Sequence, residues 1–360
     1  MKTRELYVAA APELHFGAGT TFAYEDYMPI IEGTTFKENV DLLERKAIKP
    51  LYGALRPLVG KKTGEGSVQL ELFGAITGTG GSYPIISSEA LTANFFMYDE
   101  PDLDGGGIVK TVGGLYELVP AGGGATGEYT LYTLPQVCAE DDSVSIGAVR
   151  GACGGVVDPQ SITYNGALVE SVKLNFPTAE IATITYDFKA AEWAEGGIVQ
   201  FPQEAYDVGI DYPAPFVGKS MNVNMVRIGS ITPTNLAGVR DLEVSLSKTI
   251  VDRETIVGVG ITAKKTVDVE VKATFTVDTD DDNVYKWLNS MVNVDEYFSF
   301  FTSVAGGAYE VVVYLPKVSI TAASLEDDNG ISVTKVELMA YADTNQVELI
   351  PPARIGIKAY

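Results

Sequence analysis

Leu242-Glu243-Val244-Ser245-Leu246-Ser247-Lys248-Thr249-Ile250-Val251-Asp252-Arg253-Glu254-Thr255-Ile256, a short loop, Ala263-Lys264-Lys265-Thr266, and then Val267-Asp268-Val269-Glu270-Val271-Lys272-Ala273-Thr274-Phe275 read as one long β-hairpin. Apolar and polar residues alternate through both arms, which gives each strand one buried and one solvated face. The hairpin has an earlier counterpart. Leu42-Leu43-Glu44-Arg45-Lys46-Ala47-Ile48 leads into a loop rich in Pro and Gly, then Gly60-Lys61-Lys62-Thr63, then Val68-Gln69-Leu70-Glu71-Leu72. Both stretches run apolar pair, acid, Arg, two residues, Ile, loop, Lys-Lys-Thr, alternating strand.

Chance similarity should not continue downstream, and this one does. Tyr129 to Val137 ends Leu134-Pro135-Gln136-Val137, and Tyr309 to Val318 ends Leu315-Pro316-Lys317-Val318. Val169-x-x-Val172-x-Leu174 is matched by Val333-x-x-Val336-x-Leu338. The expectation is an internal duplication into two β-rich units. Residues 1–195 form the first, with a Gly-rich insertion at about 99–127; residues 196–235 supply a linker and opening strand; residues 236–360 form the second.

The chain has 360 residues, 46% of them hydrophobic, enough for two ordinary cores. A formal charge of -22 disfavours general attraction to nucleic-acid phosphate or to an anionic membrane. Cys138 and Cys153 lack C-x-x-C spacing and read as small buried residues. Neither a signal-type apolar core at the start nor a bilayer-length apolar run occurs, so the protein is expected to be cytosolic when made.

In chain order, residues 5 to 35 read as an arm and a first strand, and Ser88 as the cap of a short helix. Strands are expected at Tyr129 to Leu134, Val144 to Val149, Thr163 to Phe176 and Ile181 to Phe188, with Asn165-Gly166 as a tight turn inside the third. Met221 to Ile228 opens the second unit. After its hairpin come a helix over Asn283 to Val292 and strands at Tyr309 to Leu315, Val318 to Ala322, Ile331 to Tyr341 and Gln346 to Ile350.

Motifs for chemistry fail on inspection. His15 is the only histidine and has no Cys or acidic cluster beside it. Asp278, Asp280 and Asp282 have calcium-loop spacing, but Asn283 stands where that loop needs Gly and Asn289 where it needs a bidentate Glu. These acids instead suit the positive end of the helix that follows. The glycine clusters at 105–107, 113–114 and 122–124 match no phosphate-binding pattern. No catalytic residue, metal ligand or cofactor site is expected.

The duplicated hairpin before Lys-Lys-Thr, the helix after its second strand, the L-P-x-V strand and the late V-x-x-V-x-L strand together resemble the major tail tube protein of long-tailed bacteriophages. Gly166 to Phe176 running on to Ile184 to Lys189 is similar to the late strand pair of such proteins, and Asp241 to Lys248 to the strand entering the hairpin. The resemblance implies a mainly β fold: two tandem antiparallel β-sandwich or partial-barrel domains, each with a long loop-bearing hairpin and at most one short flanking helix. It implies a structural virion protein that self-assembles into stacked rings forming a hollow tube for genome delivery. Two units per chain point to trimeric rings with pseudo-six-fold symmetry.

The tape measure, tail terminator and distal tail proteins are the further partners so implied, with DNA passing unbound and no membrane partner. The implied location is the virion tail, after assembly in the host cytoplasm. The rival is an exported β-sandwich adhesion or surface-layer module. Leu51, Tyr52, Leu55, Leu58 and Val59 in the first loop, and Val257, Val259 and Ile261 in the second, are apolar beyond the needs of a solvated loop and are expected at contacts between subunits. The candidates for an acidic channel lining are Glu71, Asp187, Glu243, Asp268, Glu270, Glu337 and Glu348, from the polar faces of alternating strands.

Overall fold

The computed structural model describes residues 6–22, 26–28, 30–43, 58–76, 84–99, 107–110, 116–119, 130–134, 142–150, 160–196, 215–218, 221–227, 234–236, 238–254, 261–278, 282–292, 297–306, 309–328, 330–342 and 352–359. The chain begins β1 (Leu6–Pro12), β2 (Tyr27–Met28), β3 (Thr35–Leu43), β4 (Leu58–Glu71), β5 (Gly74–Ile76), β6 (Pro84–Ile86) and helix α1 (Glu89–Phe95). β7 (Met97–Asp99), β8 (Gly107–Lys110), β9 (Tyr116–Val119) and β10 (Thr130–Thr133) follow. Next come β11 (Val144–Arg150), β12 (Gln160–Phe176), β13 (Thr183–Ala190) and β14 (Glu192–Glu195). The later part comprises β15 (Met221–Arg227), β16 (Thr234–Asn235), β17 (Val239–Glu254), β18 (Ile261–Asp278), helix α2 (Asp282–Val292), β19 (Phe298–Gly306), β20 (Tyr309–Asp328), β21 (Ile331–Ala340) and β22 (Arg354–Ala359).

Two series of antiparallel ladders have the same order. In one, β2 pairs β1, then β11, β12, β13, β4 and β3 follow as successive neighbours. In the other, β16 pairs β15, and β19, β20, β21, β18 and β17 follow. Each series meets its strands in the same chain order and places its helix, α1 or α2, after the hairpin. β12 and β17 then join the two series edge to edge. The resulting sheet is open and does not close into a barrel within the described residues.

This topology corrects the sequence reading at several points. Val169 to Leu174 lies in β12, whose counterpart in the second series is β20, whereas Val333 to Leu338 lies in β21, the counterpart of β13. Period-two apolar residues recur in every strand buried on one face, so the pattern could not tell neighbouring strands apart. Asn165-Gly166 is not a hairpin turn. β12 runs straight through it, with Gly166 at φ +60°, and changes partners there. Residues before it pair β11 and β14, Ala167 still faces Val144 of β11, and residues from Leu168 on pair β13 and β17. The expected N-terminal arm is largely β1, with Val8, Ala9, Ala10 and Ala11 buried. The Gly-rich insertion contains the β8–β9 hairpin, and Gln346 to Ile350 lies outside the described residues.

One apolar layer holds the sheet. Val68, Leu70, Ile184, Tyr186, Val172, Leu174, Val244, Leu246, Val271 and Phe275 all point into it. Gly64 and Gly66 are small because aromatic rings occupy the space above them: a Cβ on Gly64 would lie 2.4 Å from Tyr164 and one on Gly66 2.8 Å from Phe188. α1 starts at Ser88, whose hydroxyl accepts from the Leu91 N–H at 3.5 Å. Thr92, on the buried side of that helix, donates to the Ile86 carbonyl at 3.1 Å and accepts from the Tyr186 hydroxyl at 2.8 Å, so both buried hydroxyls are satisfied.

Candidate assembly surfaces and channel face

The part of the sheet that both series share is an array of eight strands in the order β3, β4, β13, β12, β17, β18, β21, β20. Strand pleating sends alternate residues to opposite faces. One face is the apolar layer just described. The other carries mainly hydroxyl, amide, carboxylate and ammonium groups, and all six described lining candidates are on it.

Register arranges these side chains in rows that cross the strands. One row runs Glu71, Thr183, Asn175, Glu243, Thr274, Glu337. A second runs Thr35, Ser67, Asp187, Ser171, Ser247, Glu270. Between them lies Gln69, Thr185, Lys173, Ser245, Lys272, Met339, so lysines stand between acid-bearing rows. Asp268 lies opposite Thr249, farther toward the hairpin tip. Glu348 is outside the described residues.

Several acids on this face are paired. Lys173 Nζ is 2.8 Å from Glu243 Oε2, Lys272 Nζ 2.7 Å from Glu270 Oε1, and Lys189 Nζ 2.7 Å from Glu170 Oε1. Ser171 donates to Asp187 at 2.6 Å. The hydrogen bond from Lys37 holds the Glu65 carboxyl below its usual pKa. Among the described residues Glu71, Asp268 and Glu337 make no ion pair. The sequence reading picked out the acids but missed the lysines between them, which become visible only once the register is known.

The described parts of the two long hairpins meet at β4 and β17. Lys61 Nζ of β4 reaches Asp252 Oδ2 of β17 at 3.4 Å, and Lys264 Nζ approaches the other oxygen of the same carboxylate at 3.7 Å. Lys264 is 3% exposed and donates to the Lys189 carbonyl at 2.8 Å; burial pushes its pKa down, with Asp252 and Glu170 opposing. Of the expected loop contacts, Leu58 and Val59 belong to β4, opposite Leu43 and Leu42, and Ile261 is the first residue of β18, opposite Glu254. Leu51, Tyr52, Leu55, Val257 and Val259 lie outside the described residues.

Both ends of the array keep an open edge. Among the described residues β3 pairs only with β4, and β20 beyond Val318 pairs only with β21. The family model for phage tail tube proteins matches residues 3–340. The chain belongs to that family. A search of curated proteins found no match. A phage tail tube protein is a structural component of the virion tail, and a mainly antiparallel β chain, with two short helices among the described residues, is consistent with one.

Proposed function

We propose that this protein is the repeating subunit of a hollow tail tube, that each chain carries two duplicated tube units, and that three chains close one ring. The units correspond to residues 1–195 and 236–360, with 196–235 supplying the linker and the opening strand of the second. The observation that carries the reading is the β12–β17 junction. β12 and β20 hold the same place in their series, as do β17 and β3. The junction inside one chain is thus a template for joining β20 of one copy to β3 of the next. Such head-to-tail pairing satisfies both open edges and closes by rotation.

A count of strands supports closure by several chains. Eight strands curled alone into a barrel would leave room only for their own side chains. Three chains would supply twenty-four, and at about 4.8 Å between strands the wall is roughly 37 Å across, wider still with strand tilt. That is an open bore. The polar face lines it, the apolar face packs outward against the remaining strands and helices, and DNA passes without specific binding. The tape measure, tail terminator and distal tail proteins are the partners at this tube, which assembles in the host cytoplasm. No catalytic step is assigned.

Electron microscopy of concentrated protein tests the reading. End-on averages should show rings of three chains with a six-fold outline. Six complete chains per ring would overturn the stoichiometry, and persistent monomers the whole proposal.

A further inference from the structure

β12 and β20 carry the same irregularity, one extra residue against the following strand: Glu170 in one and Thr321 in the other. Four residues before it each accepts a matching bond, from the Ala191 N–H to the Gly166 carbonyl at 3.2 Å and from the Tyr341 N–H to the Lys317 carbonyl at 2.8 Å. Counted from these marks, Leu174 of β12 corresponds to Leu325 of β20. The strands on the other side of the junction can be matched too. Phe188 and Leu338 pair with the residues just before the extra one; they face Gly66 and Ala273, which in turn face Phe36 of β3 and Val244 of β17.

Inside the chain Leu174 faces Val244, and both are fully buried. Their counterparts lie on the open edges. Leu325 is 52% exposed, and Phe36 is half-buried against Tyr164. On the polar face beside this pair, Lys173 stands opposite Ser245 and Asn175 opposite Glu243, so lysine and glutamate meet on the diagonal. At the four corresponding positions of the open edges stand Ser324, Lys37, Glu326 and Thr35, in that order. The charges have changed sides: within the chain the lysine is on β12 and the glutamate on β17, but at the edges the glutamate is on β20 and the lysine on β3.

We infer that β20 of one copy pairs β3 of the next with Leu325 against Phe36, and that the reversed lysine–glutamate diagonals keep this junction distinct from the one inside the chain. The occupant of each edge is a second copy of this chain. Glu326 then reaches Lys37, which is bound to Glu65 of its own β4 and has donors enough for both carboxylates. Wrong pairings are penalised. β12 against β3 would set Lys173 directly opposite Lys37, and β20 against β17 would set Glu326 directly opposite Glu243. Two units of one fold thereby alternate around a ring instead of joining at random. This rests on the ring reading and adds to it the register and the residues that choose the partner.

Two measurements test it. Lys37→Glu and Glu326→Lys, each alone, should raise the protein concentration needed for rings about five-fold or more; the double variant should bring it back toward wild type, and high salt should shrink the differences. Circular dichroism of each variant confirms the fold before assembly is scored. For the register, in a background of Cys138→Ser and Cys153→Ser, Glu326→Cys with Thr35→Cys should be joined in rings by a short thiol cross-linker. Ala322→Cys with Thr35→Cys, displaced by about 13 Å along the strand, should not. Rings that lack the first cross-link or form the second would overturn the register. Single variants that assemble like wild type, or a double variant as defective as either, would overturn the charge selection, and both results leave ring closure standing. Failure of the wild-type chain to form rings at all would overturn the proposed function and this inference with it.

Discussion

Lys173 Nζ and Glu243 Oε2 meet at 2.8 Å across the junction where β12 lies against β17. Their side chains are 46% and 42% exposed, so water screens the pair and it contributes at most about 1 kcal/mol. The apolar residues behind it carry the junction. Lys173→Ala should barely move the denaturant midpoint, whereas Leu246→Ala, which empties a fully buried site, should cost about 2–5 kcal/mol. Equal effects from the two substitutions would show that the junction is held by charge.

Gly166 and Gly330 separate backbone strain from crowding. Both have positive φ, but a Cβ on Gly330 meets nothing within 4 Å, while one on Gly166 would lie 2.9 Å from the Ala191 Cβ and 3.2 Å from the Phe16 ring. Gly330→Ala should cost about 1–2 kcal/mol from conformation alone. Gly166→Ala should cost clearly more, because β12 changes sheets at that residue and its surroundings cannot recede. Thermal unfolding of the two variants compares them directly.

Tyr186 should give the fold an alkaline limit. Burial pushes its hydroxyl pKa well above the usual value. The protonated form is therefore the one the folded state favours. Its contribution is intact below the unfolded tyrosine pKa of about 10 and is lost progressively as pH rises beyond it. Wild-type stability should fall in that range more steeply than that of Tyr186→Phe, as measured by denaturant titration at stepped pH. Parallel slopes would mean that Tyr186 is not the linked group.

How far the sequence reveals this fold depends on the range of the interaction involved. The β17–β18 hairpin was legible because its alternation and its loop are local. α1 was legible because Ser88 is a good cap, and α2 because acids precede an amphipathic run. The partner change at Gly166 was not, since Asn-Gly signals a turn unless something distant occupies its neighbours. Here Glu13 accepts from the Gly166 N–H at 3.0 Å and Ala191 donates to the Asn165 carbonyl at 3.1 Å. The acids of the polar face could be named from alternation alone. Their shared rows with Lys173 and Lys272 could not, because register between strands far apart in sequence leaves no local mark.

Removing residues 50–57 should leave a folded, soluble chain that no longer polymerises. The deletion spares Leu58 and Val59, which pair with Leu43 and Leu42 in the β3–β4 ladder. Circular dichroism reports the fold and electron microscopy the tubes. Tubes of normal length would remove the first loop from the assembly contacts.

The last expectation concerns the polar face as the lining of the bore. A duplex carries one negative charge per about 1.7 Å of its axis, so a lysine-rich wall would bind its phosphates by releasing counterions, while carboxylates repel them. On this face acids outnumber lysines, but Lys173 and Lys272 are held by Glu243 and Glu270 in ion pairs. Four of the six acids thus make no ion pair among the described residues: Asp187 is held by Ser171, and Glu71, Asp268 and Glu337 remain, two of which share one row. All three project from the face opposite the apolar layer, so replacing them should disturb neither core nor edges. Phage carrying Glu71→Lys, Asp268→Lys and Glu337→Lys should build tails of normal length, and their DNA should leave more slowly, with the delay shrinking as salt rises. Glu71→Gln, Asp268→Asn and Glu337→Gln remove the repulsion without adding attraction and should fall between that variant and wild type. Wild-type ejection rates from the lysine-substituted tails would show that these acids serve only to keep the subunit soluble.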